Sequence, residues 1–431
     1  MPLSPAPLDV AAFAALLDSL GPFEARPKLA VAVSGGADSL ALVLLADGWA
    51  RARGGDVLAL IVDHGLRPES RDEAVLTGER LAARGITARV ATLAGLARGP
   101  ALAERARAAR YAALAQMCAA EGRVHLLLGH HAGDQAETRA MRALSGSGPD
   151  GLAAMPAVTE TAQVRLLRPL LAVPPGRLRA TLRAAGLAWV EDPSNADPAT
   201  LRARLRAARA DPEGTGAATR AAVAVTAAAG RTRAWAERAR AAALARRVRI
   251  FPEGYALLSP GPITPGALAA LLRVIAGADW APPPPQVARL AARPAAATLG
   301  GARLLPAGRL DPDAWLVVRE AAAIGPPVAA RTGALWDGRF RLATAPDPGE
   351  GWRVAALGDA AAGLRDASAL PAAVLRGLPA LWRNGTMVAV PLLRYPNLSW
   401  SEVCRMEFAP RSPAGGPPFA PPSPEAGARD E

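Results

Sequence analysis

From Lys28 to Thr138 the sequence repeats one alternation, and that alternation restricts the fold more than any other feature. A short apolar run is followed by a polar turn and then by a helical pattern. The runs are KLAVAV (Lys28–Val33), DVLALIV (Asp56–Val62), TARVATL (Thr87–Leu93) and VHLLLG (Val124–Gly129). A continuous apolar run such as KLAVAV belongs to a strand covered on both faces. Helical patterns follow from about Asp38 to the glycine pair after Arg53, from a capping-box signal at Ser70 and Glu73, over Ala101–Gly122, and from HHAGDQAET (His130–Thr138) onward. Helices between strands impose a parallel sheet with right-handed crossovers. Ligands of such sheets lie beyond the carboxyl ends of the strands, here at the turns after Val33, Val62 and Gly129.

The expected fold class is α/β: a parallel twisted sheet with flanking helices, then a helical region and a small β-containing C-terminal domain. In a chain of 431 residues, the composition places these over 1–210, 211–325 and 326–408. The stretch 409–431 is rich in Pro and Gly and is expected to be disordered. The formal net charge of +12 suits a polyanionic partner such as nucleic acid. A second reading stays open, because Lys28 is the only lysine and the wealth of Arg, Ala, Pro and Gly fits a coding bias. Cys118 and Cys404 form no CxxC pair, which argues against a disulfide framework or zinc ribbon. No run approaches the ~18 apolar residues of a membrane span, and no basic leader precedes an apolar core. A soluble, cytoplasmic protein is expected.

The turn Ser34-Gly35-Gly36-Ala37-Asp38-Ser39 joins the first strand to the first helix of this series. It lacks the lysine of a Walker loop and does not spell GxGxxG. Its successive N–H groups and the helix dipole form an anion nest. Gly35 and Gly36 admit a phosphate closely, and Ser34 and Ser39 add donors. Asp38 repels phosphate unless a cation stands between them, which points to Mg²⁺; otherwise Asp38 and Ser39 are ordinary first-turn residues. Asp63 and His64, with Arg67, lie where an adenosine rests on the sheet edge, although Asp63 also suits a turn cap. Arg107 and Arg110 share a helix with Tyr111, either towards a ligand or on a solvated face. Asp134 and Glu137 stand one helical turn apart after His130 and His131. No cysteine lies nearby and HExxH is absent, which disfavours zinc.

SGGADS resembles the SGGxDS signature of the PP-loop ATP pyrophosphatases. With VDHGLRPES (Val62–Ser70), AERARAARY (Ala103–Tyr111), GHHAGDQAET (Gly129–Thr138), GSGPDGLAAM (Gly146–Met155), RPLL (Arg168–Leu171) and EDPSNAD (Glu191–Asp197) in order, residues 28–206 resemble the catalytic domain of the tRNA(Ile)-lysidine synthases. The resemblance implies ATP and Mg²⁺ as cofactors, and free L-lysine and an isoleucine tRNA with a CAU anticodon as partners, with no membrane and a homodimer admitted. ATP would adenylate the C2 oxygen of the wobble cytidine, and the lysine ε-amine would then displace AMP. Ser34 to Ser39, Asp63 and His64 would bind ATP. Asp38, Arg110, His131, Asp134 and Glu137 would form the catalytic set. Asp134 and Glu137 would hold the lysine ammonium groups, and a carboxylate or histidine would take the amine proton. Arg107, Arg202 and Arg204 would contact tRNA, as would arginines between 231 and 249. WDGRF (Trp336–Phe340) carries a weaker resemblance into the C-terminal half. Two positions depart from the family: Gly133 stands in place of an aspartate and Ser145 in place of an arginine, for which Arg139 or Arg142 are candidate substitutes. The alternative is another PP-loop adenylating tRNA-modifying enzyme or amide ligase, or a module that only binds RNA.

Overall fold

The computed structural model describes residues 5–63, 65, 69–93, 99, 102–161, 163–191, 198–346, 351–365, 368–411, 413–415 and 419–422. Two compact units divide the chain, 1–235 with 419–431, and 236–418.

The first unit runs α1 (Val10–Asp18), β1 (Lys28–Val33), α2 (Ala37–Arg51), β2 (Asp56–Asp63), α3 (Ser70–Ala82), β3 (Thr87–Thr92), α4 (Leu102–Ala120) and β4 (His125–Leu127). It continues through α5 (Ala132–Leu144), α6 (Pro149–Leu152), β5 (Val158–Glu160), β6 (Arg165–Leu167), α7 (Pro175–Ala184), α8 (Leu201–Arg209) and into α9 (Ala217–Arg247). The sheet order is β3-β2-β1-β4-β6-β5. Four pairings are parallel, with Val31 opposite both Ala59 and Leu127. Only β5 is antiparallel, an edge strand returning on β6.

Successive β1 residues serve opposite layers. Leu29, Val31 and Val33 pack with Leu40, Val43 and Leu178 on one side, while Ala30 packs with Leu58, Leu114, Cys118 and Leu126 on the other. Both faces are therefore apolar, and each buried leucine contributes about 1.5–3 kcal/mol. Because β2 and β4 flank β1, the strand order reverses there, and a crevice opens at the carboxyl ends.

Two local readings change. Ser70 is not a helix cap: Glu69 holds that position without a side-chain bond, and the Ser70 hydroxyl donates to Asp63. The tail is not wholly outside the fold. Phe419 is buried, with the Arg233 guanidinium 4.6 Å from its ring centroid, and the Ala157 N–H donates to the Ala420 carbonyl. One aromatic side chain anchors a segment whose composition otherwise disfavours packing; residues 423–431 lie outside the described ones.

Over 211–325, where a helical region is expected, the helices are joined by short strands of the second unit. After α9 come β7 (Val248–Ile250), β8 (Ala256–Leu258), α10 (Pro265–Ala276), α11 (Pro284–Ala292), β9 (Ala297–Leu299), β10 (Ala302–Pro306) and β11 (Trp315–Arg319). The strands form an antiparallel sheet, β7-β8-β11-β10-β9, against which Leu271 and Ile275 of α10 and Val287 of α11 pack. Strands of three to five residues hold too few alternations to register in an alanine-rich sequence. A four-stranded and a three-stranded sheet complete the unit, as expected of a β-containing C-terminal segment. In WDGRF, Asp337 and Gly338 take positive φ in a hairpin turn. Asp337 pairs with Arg339 at 2.7 Å and Arg319 at 2.8 Å. Burial lowers the Arg339 guanidinium to about 10, against the pull of Asp337. This motif is a structural pin within the second unit.

Candidate active site

A cavity of about 360 Å³ lies at the strand-order reversal of the first unit. Ser34, Gly36, Asp38 and Ser39 form one wall, Gly129, His130, His131 and Asp134 a second, and Arg107 and Arg110 of α4 a third. Arg202 and Arg206 of α8 close it, over an apolar floor that includes Leu60, Val62 and Leu128. Its volume suits a small ligand.

The turn is held open by its own side chains. The Ser39 hydroxyl donates to the Gly36 carbonyl at 3.0 Å and accepts the Ser34 N–H at 3.1 Å. Gly35 has φ +83°, and its carbonyl accepts the Val190 N–H at 2.9 Å. Gly36 caps α2 with no side-chain acceptor, so the first-turn N–H groups stay available for an anion. Gly129 meets this turn backbone to backbone: a Cβ there would lie 3.2 Å from Asp38 C and Ser39 N. Gly129→Val should therefore displace the turn and weaken nucleotide binding at least about tenfold, roughly 1.4 kcal/mol, while unfolding remains cooperative. Unchanged binding by titration calorimetry would contradict this.

Asp38 Oδ1 is buried without a hydrogen-bond partner among the described residues. Burial raises its carboxyl above the usual range, with His131 acting against the shift and Asp134 with it. An orphaned, desolvated carboxylate beside an anion nest fits a hard cation shared with phosphate oxygens. The described residues contain no cluster of three or more His, Cys, Asp or Glu able to hold a metal alone, so the anion would have to supply ligands.

His131 and Asp134 cap α5 reciprocally. His131 Nδ1 accepts the Gly133 N–H at 3.0 Å, and an Asp134 oxygen accepts the His131 N–H at 3.1 Å. With Nδ1 accepting, the ring proton is assigned to Nε2, 3.5 Å from Asp38 and 3.6 Å from Asp134. A Cβ on Gly133 would come within 2.9 Å of the His131 ring, so the missing acid leaves room for this histidine. Burial opposes ionisation of Asp134, but His131 and its backbone N–H hold it below the ordinary carboxylate range. Burial lowers His130 to about 3, which leaves it neutral. The Arg110 guanidinium is lowered by burial, and its Nε has no partner among the described residues. Arg107 donates to the Tyr111 hydroxyl at 3.2 Å.

Several expected residues stand elsewhere. Asp63 does not line the cavity; it accepts the Gly65 N–H at 2.9 Å and the Ser70 hydroxyl, and so closes the turn after β2. His64 and Arg67 lie outside the described residues. Arg204 turns back on its own helix start, donating to Pro198 and Ala199 carbonyls. Arg139 and Arg142 hold the α6 segment through the carbonyls of Leu152, Gly151 and Ala154, which leaves neither in the role expected for the residue before Gly146. Glu137, 1% exposed, is surrounded by Arg206 at 2.9 Å, Arg209 at 3.3 Å and Arg202 at 3.5 Å, and is not open to an ammonium ligand. Arg206 and Arg209 were not singled out, since only the docking of α8 on α5 brings them in. A second cavity, of about 490 Å³, shares Asp38, His131 and Arg206 and extends past Pro175, Arg179 and Ala207.

The PP-loop domain family matches residues 10–210. A tRNA(Ile)-lysidine synthase of Bradyrhizobium sp. is 47% identical over 188 residues, 43% of this chain and 52% of that protein. The synthase of Hyphomonas neptunium is 48% identical over 203 residues, 46% of this chain and 54% of that protein. The chain thus spans about half the length of these two relatives. The synthase of Ruegeria pomeroyi is 36% identical over 399 residues, 87% of this chain and 91% of that protein. With a likeness that runs through both units, the chain belongs to the tRNA(Ile)-lysidine synthase family.

Proposed function

We propose that this chain ligates free L-lysine to C2 of the wobble cytidine of an isoleucine tRNA with a CAU anticodon, using ATP. The observation that carries this reading is one cavity lined by an anion-binding turn, Arg110 and Asp134, with Asp38 Oδ1 and Arg110 Nε lacking hydrogen-bond partners among the described residues. Bound at Asp38, Mg²⁺ would neutralise charge between that carboxylate and the phosphates. The turn Ser34–Ser39 positions the α-phosphate. The cytosine C2 oxygen attacks it, a P–O bond forms, the α–β bridge breaks and pyrophosphate leaves. Arg110 stabilises the charge that develops. The neutral ε-amine of lysine then attacks C2, the C–O bond to AMP breaks, and Asp134 takes the amine proton. His131, with its proton on Nε2, orients Asp38 and Asp134 rather than accepting that proton.

The +12 net charge supports tRNA as partner, with arginines outside the cavity, those of α9 among them, contacting phosphates without reading bases. No described helix is long and apolar enough to cross a membrane; the cytoplasm, where tRNA, ATP and free lysine meet, is the proposed location. The test is mass analysis of the anticodon loop after incubation with ATP, labelled lysine and the tRNA. Label on the wobble nucleotide supports the proposal. Turnover with ammonia in place of lysine would assign a different PP-loop ligase, and RNA binding without pyrophosphate release a binding module.

A further inference from the structure

Glu137 lies on α5 one turn beyond Asp134, yet it is buried and does not line the cavity. Arg206 grips it bidentately, Nε to Oε1 at 2.9 Å and Nη2 to Oε2 at 3.1 Å. Arg209 adds a bond at 3.3 Å and Arg202 a contact at 3.5 Å. These arginines occupy positions i, i+4 and i+7 of α8, a single helical face. An ammonium reaching Glu137 would have to displace charge-assisted bonds of the strongest kind and then sit among the released guanidinia.

Two more carboxylates act on the Arg206 guanidinium, Asp134 at 4.0 Å and Asp38 across the cavity. The arginines are directed differently: Arg209 makes a second bond to the Gly133 carbonyl at 3.2 Å, whereas Arg202 and Arg206 line the cavity with Ser34, Gly36 and Ser39. Their side chains are 40% and 38% exposed, accessible to a ligand although tethered to a buried anion. Tethering a long side chain before the ligand arrives removes part of the entropy cost of ordering it on binding.

We propose that Glu137 is a positioning residue that aims Arg202 and Arg206 at the phosphates of the nucleotide held by Ser34–Ser39, making α8 the second wall of the phosphate site. Arg202 thereby acts on ATP rather than tRNA, and Glu137 acts on neither lysine nor RNA directly. The inference rests on the nucleotide reading of the cavity, and the test separates the two. Binding of α,β-methylene ATP with Mg²⁺ to the full chain is measured without tRNA or lysine, for the parent and for Arg206→Ala, Arg202→Ala and Glu137→Gln. Arg206→Ala is expected to weaken binding at least tenfold, and Glu137→Gln and Arg202→Ala at least threefold. Combining Glu137→Gln with Arg206→Ala should add little, because both act through one contact. In turnover, the KM for lysine should stay within twofold in Glu137→Gln while the KM for ATP rises. If the parent binds the analogue and Arg202→Ala and Arg206→Ala bind as tightly, α8 is not a phosphate wall. If Glu137→Gln raises only the lysine KM, Glu137 is an amine ligand. If the parent binds no nucleotide, the nucleotide reading itself fails. Arg202→Ala, the variant with the most exposed of the three arginines, keeps the test decisive should Glu137→Gln unfold.

Discussion

Asp38→Asn should abolish pyrophosphate release, by on the order of 10²–10³-fold, the loss expected when a preorganised electrostatic group is removed, without lowering the unfolding temperature. Asparagine keeps the shape of the first turn of α2 but withdraws the charge that would meet a cation. Asp38 Oδ1 is buried with no partner among the described residues, and burial raises its carboxyl. The sign follows from linkage. A carboxyl whose folded value lies above its unfolded value of 3.8 binds its proton more tightly when folded. Its cost to the fold is absent below the unfolded value and grows as pH rises through the folded one. Asparagine therefore raises Tm at neutral pH, and the gain disappears near about pH 3. The same shift makes Mg²⁺-dependent nucleotide binding fade on acidification earlier than for an ordinary aspartate. A pyrophosphate assay with thermal unfolding at both pH values decides it. Activity above a tenth of the parent, or a Tm several degrees lower at neutral pH, would remove Asp38 from the metal role.

What the sequence discloses and what it hides divide along a physical line. The strands of the first sheet are legible because each apolar run serves two buried faces, as Leu29 and Ala30 do in adjacent layers. The turn 34–39 is legible because its chemistry is local: two glycines, two hydroxyls and an acid at a helix start. Asp134 and Glu137 look equivalent in sequence, one turn apart on one helix. They separate only when α8 packs on α5 and three arginines enclose Glu137. Asp63 has the right position on the chain, yet its carboxylate is committed to Gly65 and Ser70, a pairing decided by the turn after β2. Of the catalytic set read from the sequence, Asp38, Arg110, His131 and Asp134 meet in one cavity. The five-stranded sheet of the second unit was hidden because its strands are too short to show a period. Local chemistry is readable; which of two similar charges a distant helix will claim is not.

Asp134→Asn should divide the proposed reaction in two. Pyrophosphate release should continue within about threefold of the parent, while transfer of lysine to tRNA falls about 10²–10⁴-fold, the range for loss of a positioned base. The substitution is conservative where it has to be: the amide oxygen still accepts the His131 N–H that Asp134 now accepts at 3.1 Å, so the cap of α5 survives. What disappears is the charge. Burial works against that charge, yet His131 and its backbone N–H hold Asp134 ionised. Because its folded value is depressed, its stabilising contribution is complete above the unfolded value and is lost as pH falls through the folded one. At neutral pH it is therefore a carboxylate, free to take the far more acidic proton that the nitrogen carries once the neutral amine has bonded to C2. Histidine at position 131 cannot replace it while Nδ1 accepts from Gly133 and Nε2 carries the proton. Counting pyrophosphate and lysine-modified tRNA separately should show adenylated tRNA accumulating in the variant. If the two products fall together, Asp134 acts before the amine arrives. If neither falls, the proton leaves by another route.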